Sequence, residues 1–206
     1  MKRLLFTAIS IALIFNLTGC ASLYRPISPF SINYSAHDMQ DGIEIFYKYD
    51  VLQERGNVKY AKKASKYRIR VAAVKIINHT DRVINVRNDL RFYAGDKQVF
   101  PMEPESTKAV IKQNVPPYLL YMLLSFVNLY VSNDSGTHVF PIGLVIGPLI
   151  TIINLAKAGA ANQNLLKEFN TYNIMNSQIN KDETVYGIIS FSDDGFNPLT
   201  VRLAEN

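Results

Sequence analysis

The run Tyr67-Arg68-Ile69-Arg70-Val71-Ala72-Ala73-Val74-Lys75-Ile76-Ile77 carries the clearest structural signal in the chain. Its first half alternates apolar Tyr67, Ile69 and Val71 with Arg68 and Arg70, the period-2 pattern of a strand with one buried face. The phase then flips to Val74 and Ile76 around Lys75. Either a bulge near Ala72-Ala73 or burial of both strand faces accounts for the flip.

Alternation continues on both sides of this run. Ile43, Ile45, Tyr47, Tyr49 and Val51 alternate with Glu44, Lys48 and Asp50. After the turn Asn78-His79-Thr80-Asp81, Ile84, Val86, Leu90 and Phe92 share one face, with Asn85, Arg87, Asp89 and Arg91 on the other. Tyr93 to Lys97 is a further turn signal, followed by a short strand from Lys97 to Met102. Val185 to Phe191 and the set Leu199, Val201 and Leu203 supply two more strands, joined by the turn-rich Ser192–Pro198. Together these predict a mainly β (α+β) fold, an antiparallel β-sandwich of the immunoglobulin-like kind. The Cys…Trp…Cys signature of true immunoglobulin domains is absent, since the chain has one Cys and no Trp.

Composition agrees with a folded domain. The 206 residues are 48% hydrophobic, 11% aromatic and only 19% charged, which excludes an intrinsically disordered chain. A single Cys excludes a disulfide framework and a multi-Cys metal site.

One stretch departs from the β pattern. Between Lys112 and Lys157 the only charge is Asp134, leaving 21 uncharged residues from Gln113 to Asn133 and 22 from Ser135 to Ala156. Asn133-Asp134-Ser135-Gly136 is a turn signal, so the stretch reads as an apolar helical hairpin over 116–156. Three arrangements fit it: burial against the sandwich, contact with a bilayer surface or a protein partner, and membrane spanning. Gly143-x-x-x-Gly147 matches a close-packing helix motif, whereas Pro141, Pro148, Asn128 and Asn154 oppose spanning. Leu149, Ile152, Ile153, Ala156 and Ala160 then predict a helix from about Leu149 to Asn170, amphipathic in its second half, with Pro148 at its start. The predicted organisation is a leader at 1–19, an extended tether at 20–36 containing Pro26 and Pro29, and one domain at 37–206 with a helical insertion at about 104–170.

The N-terminus reads Met1-Lys2-Arg3, an apolar run from Leu4 to Leu17, then Leu17-Thr18-Gly19-Cys20. A basic start, a short apolar run and small residues before a cut define a signal peptide, and the run is too short to span a membrane. The Leu-Thr-Gly-Cys ending resembles the lipobox of bacterial lipoproteins. That resemblance covers residues 1–20 and implies cleavage before Cys20, a diacylglycerol on its sulfur and an acyl chain such as palmitate on its amine. Several acyl chains give stable membrane anchoring. Ala21 stands where the family's inner-membrane retention signal places Asp, which implies outer-membrane sorting and a periplasm-facing protein. Loss of Lys2 and Arg3 leaves 20 basic against 17 acidic residues, a net charge of +3, too mild to indicate a nucleic-acid partner.

No catalytic constellation emerges. His37, His79 and His138 lack metal-ligand spacing, and no Gly-x-Ser-x-Gly elbow, Ser-x-x-Lys or phosphate-cradling Gly loop occurs. The acid pairs Glu103/Glu105, Asp182/Glu183 and Asp193/Asp194 read as turn and cap residues. The strongest polar signal is basic: Arg55, Lys59, Lys62, Lys63, Lys66, Arg68 and Arg70 fall within sixteen residues without an acid. This cluster suits contact with an anionic surface, or a solvated loop leading into the outward face of a strand. The expectation is a non-enzymatic, lipid-anchored envelope accessory without catalytic, metal or cofactor residues. The alternative is a membrane-active component, or one that meets an envelope protein or a second copy through 116–156.

Overall fold

The computed structural model describes residues 20–133 and 135–204, so the signal-peptide reading of 1–19 lies outside the described residues, as does Asp134 of the turn. In chain order the elements are β1 (Ala36–Gln40), β2 (Ile43–Lys48), α1 (Val51–Glu54), α2 (Val58–Lys66), β3 (Ile69–Asn78), β4 (Ile84–Asn85), α3 (Val86–Asp89), β5 (Leu90–Ala94), β6 (Lys97–Val99) and α4 (Pro104–Ile111). A 3-10 run (Pro116–Phe126), β7 (Leu129–Asn133), β8 (Gly136–Phe140), α5 (Gly143–Thr171), β9 (Gln178–Ile179), β10 (Thr184–Ser192) and β11 (Leu199–Leu203) follow. The fold is mainly β with helices, and every strand pair is antiparallel.

The chain divides into two compact units. The larger, β unit comprises Tyr24–Lys112 and the described residues from Asn162 onward. Its sheets run β1-β2-β3-β10 and β11-β5-β6, with a small β4-β9 ladder. Ile45, Val74, Ile76 and Phe191 of the first sheet share one core with Phe92, Leu199 and Val201 of the second. A sandwich results, but its strand order differs from the immunoglobulin arrangement, where the first strand's sheet runs A-B-E-D and the other C-F-G.

Strand β3 shows why the phase flips in its sequence. Its pairing with β10 runs without a break from Ile69↔Ser192 to Ile77↔Thr184, so there is no bulge. Instead Val71, Ala72, Ala73 and Val74 are all buried, because β3 lies centrally between β2 and β10. One face meets the shared core and the other is covered by α1 and α2.

Strand β1 is joined to β2 by Asp41-Gly42. Both residues have positive φ (53° and 76°), as a two-residue hairpin turn of type I′ requires. The strand expected through Val51 stops at Lys48, and the one expected from Ile84 to Phe92 is interrupted by α3.

Residues 24–32 are not a solvated tether. Tyr24, Ile27 and Ile32 are buried in the β unit. Asn57, itself buried, accepts the Arg25 N–H (2.9 Å) and donates to the Arg25 carbonyl (2.7 Å). The Arg55 side chain donates to the Ile27 carbonyl at 3.0 Å.

The smaller unit comprises Gln113–Ala161 and the described residues up to Leu23. In place of the expected helical hairpin it holds the 3-10 run, the β7–β8 hairpin and the first part of α5. That helix begins at Gly143 and carries Pro148 internally, so the helix expected from Leu149 starts six residues earlier.

Candidate functional site

Cys20 lies at the start of the described chain, where its side chain hydrogen-bonds Tyr121. The residues after it are fixed at once. The Ala21 N–H donates to Asn154 Oδ1 (2.7 Å), while Ser22 and Gln113 exchange two hydrogen bonds of 3.1 and 2.8 Å. Ala21, Tyr118 and Ala158 form a small core beneath them. Asn154, expected to be costly in an apolar setting, is buried and satisfied, its amide also donating to the Ile150 carbonyl at 2.9 Å.

The amphipathicity of α5 within this unit is inverted. Gly143, Gly147, Thr151, Asn154 and Ala158 form the buried row, at spacings of four, four, three and four residues. Leu144, Val145, Leu149, Ile152 and Ile153 face outward, each more than half exposed. The row Leu149, Ile152, Ile153 that predicted the helix is therefore its outer face. A water-soluble helix does the reverse, because exposing a large aliphatic side chain forfeits about 1.5–3 kcal/mol relative to burying it. The glycines permit close packing on the 3-10 run: a Cβ on Gly143 would lie 2.2 Å from the Leu124 carbonyl oxygen, and one on Gly147 2.7 Å from the Ser125 nitrogen. The Gly-x-x-x-Gly motif is thus used inside the unit.

Apolar exposure continues around that helix. Leu120, Leu123 and Phe126 of the 3-10 run are exposed, Phe126 to 82%, and every described residue of β7 and β8 is exposed. Helix α5 is long and apolar enough to cross a membrane, and only 28% of its most apolar window is buried.

The basic cluster belongs to the β unit and is a helix rather than a loop. Helix α2 turns Lys59, Lys62, Lys63 and Lys66 onto one face, spaced i, i+3, i+4 and i+7, with Tyr60 and Ala64 buried opposite. Lys62 and Lys66 are exposed. Lys63 donates to the Lys112 carbonyl at 2.5 Å, and burial, with Lys112 and Lys66 nearby, lowers its pKa. Arg68 and Arg70 are drawn away from the stripe to hold the β10–β11 turn. Arg68 pairs with Asp194 (2.9 Å), and Arg70 donates to the Gly195 and Asp194 carbonyls (2.6 and 2.8 Å) above the Phe196 ring. Of the basic residues expected to meet an anionic surface together, four therefore lie on a helix, while Arg68 just before β3 and Arg70 on β3 are engaged by the β10–β11 turn.

The polar residue that sequence reading missed is Glu168. Its buried carboxylate accepts the Tyr24 hydroxyl and the backbone N–H groups of Ile27 (3.0 Å) and Ser28 (2.8 Å). Its spacing of three from Leu165, on the buried face of α5, was the available clue.

The histidines and acid pairs are dispersed. His37 stacks on Phe46, His79 contacts Glu44 and Asp182, and His138 lies on β8. Glu103 pairs with Arg87, Glu105 accepts from Asn170, and Glu183 and Asp193 accept turn N–H groups. Among the described residues no group of three or more His, Cys, Asp or Glu side chains is placed to hold a metal ion. No family model, curated protein or solved structure matches the chain.

Proposed function

We propose that the chain is a lipid-anchored cell-envelope protein, a non-enzymatic binding or structural accessory held by acyl chains on Cys20 in the bacterial outer membrane and facing the periplasm. The observation that carries this reading is the setting of Cys20: it belongs to the unit whose helix α5 turns its large aliphatic side chains outward. An acyl-bearing residue and an inverted helix in one unit suit the same solvent, the hydrocarbon of a bilayer.

The inverted helix and the exposed hairpin favour a second function for that unit, direct membrane contact through 116–156 in addition to the acyl chains. A second copy or an envelope protein is the competing occupant of this surface.

Two measurements test the reading. Wild-type protein incorporates labelled palmitate and Cys20→Ala does not; absence of Cys20-dependent label removes the lipid anchor. Cys20→Ala carried by a cleavable signal then reports on the apolar surface. Partition with membranes, resistant to high salt and reversed by detergent, supports direct contact, whereas a soluble monomer rules it out. A hydrolase or transferase activity abolished by one polar substitution overturns the non-enzymatic reading.

A further inference from the structure

The outer face of the β11-β5-β6 sheet carries an arrangement that folding alone does not favour. The register places Arg91 of β5 directly opposite Arg202 of β11. Like charges at directly opposed positions destabilise an antiparallel pair. Neither guanidinium forms an ion pair with a carboxylate among the described residues.

Both are nonetheless held in place. One nitrogen of Arg91, Nη1, donates to the Asn88 and Leu90 carbonyls, each at 3.0 Å, leaving its Nε and Nη2 edge uncommitted. Arg202 Nε donates to Gln40 Oε1 at 3.0 Å, and its guanidinium lies 4.6 Å from the centre of the Tyr93 ring. The two line a concavity of about 650 Å³ with Tyr93 and Gln98, themselves opposed across β5 and β6. Asp41 also lines it, but its carboxylate accepts the Leu203 N–H at 3.3 Å.

We propose that this concavity binds a phosphate group, with Arg91 and Arg202 both donating to its non-bridging oxygens and Tyr93 and Gln98 beside them. Phosphate suits the pair because its tetrahedrally disposed oxygens can meet two guanidiniums arriving from different strands, whereas the two oxygens of a carboxylate lie in one plane with a single fork. The bound anion also offsets the repulsion between the paired cations. This site is independent of the lipid anchor and of the apolar surface.

The test is titration of the full chain in non-ionic detergent with inorganic phosphate, glycerol 3-phosphate and glycerophosphoglycerol, followed by calorimetry and thermal unfolding. Saturable binding of inorganic phosphate is expected, with at least a tenfold rise in Kd for Arg91→Gln or Arg202→Gln and loss in the double variant. Lys62→Gln, on the basic helix, leaves Kd unchanged. Arg202→Lys, which keeps the charge without the fork, weakens binding several-fold and serves where Arg91→Gln fails to fold. Preference for the monoester assigns the site to a free or terminal phosphate; equal binding of the diester assigns it to a lipid headgroup. Non-saturable stabilisation shared by the double variant is the general effect of an excluded salt and overturns the proposal, as does absence of binding by all three probes.

Discussion

The carboxylate of Glu168 accepts the hydroxyl of Tyr24 from 144 residues earlier in the chain, and two backbone N–H groups complete its coordination. Glu168→Ala leaves three donors without their acceptor, two of them amides fixed in the backbone. The expected loss is about 3 kcal/mol or more of unfolding free energy, against about 1 kcal/mol for Tyr24→Phe. Urea denaturation checks both, and a double-mutant cycle with a coupling near zero would show that the bond contributes nothing to stability.

Gly187 of β10 faces Ile174 so closely that a Cβ on it would lie 2.4 Å from the Ile174 Cβ. Gly187→Ala is expected to destabilise by about 1–3 kcal/mol through overpacking. Adding Ile174→Ala should recover part of that loss, although Ile174→Ala alone costs about 2–5 kcal/mol by leaving a cavity. Fully additive losses would mean the two side chains do not compete for space.

Burial raises the pKa of Tyr24, Tyr34 and Tyr49 above the ordinary phenol value of 10.0, with the Glu168 charge and hydrogen bond assisting at Tyr24. In the unfolded chain these phenols lose their protons near pH 10, whereas in the native state they keep them. The unfolded state therefore binds fewer protons above that pH, and stability falls as pH rises. The lowered Lys63 acts in the opposite sense, since its unfolded form holds the extra proton up to about its ordinary value of 10.5. Chemical denaturation between pH 9 and about 11 should show a net loss, three phenols against one amine. Tyr34→Phe should reduce the slope, and an unchanged slope would remove Tyr34 from the account.

Gly143 and Gly147 admit the 3-10 run to the backbone of α5. Gly147→Ile should lower amide-exchange protection in residues 118–126 by tenfold or more, which corresponds to about 1.4 kcal/mol of local opening. Protection in β3 and β10 of the β unit serves as the internal reference; equal change there would mean a global effect.

The β unit was legible where one period dominated. Tyr67 to Ile77 and Val185 to Phe191 announce strands because alternation and β-branched residues agree. Helix α2 was missed although Lys59, Lys62, Lys63 and Lys66 hold helical spacing, because the row is charged and hydrophobic periodicity is blind to it. The β7–β8 hairpin was misread for a different reason: the stretch carries almost no charge and no clear alternation, so Tyr130, Val131 and the turn after Asn133 were the clues to strands. The facing of Arg91 and Arg202 depends on strand register, which no local pattern records.

The bonds from Ala21 to Asn154 and between Ser22 and Gln113 also set a reach. Fifteen extended residues would let a domain range about 50 Å from its anchor. Here Ala21, the residue directly after Cys20, is already bonded to folded structure. Acyl chains on that cysteine would hold its unit flush with the leaflet, without the slack to patrol the periplasm or span toward the opposite membrane. With the proposed acylation, whatever that unit touches would have to come to the lipid surface to be touched.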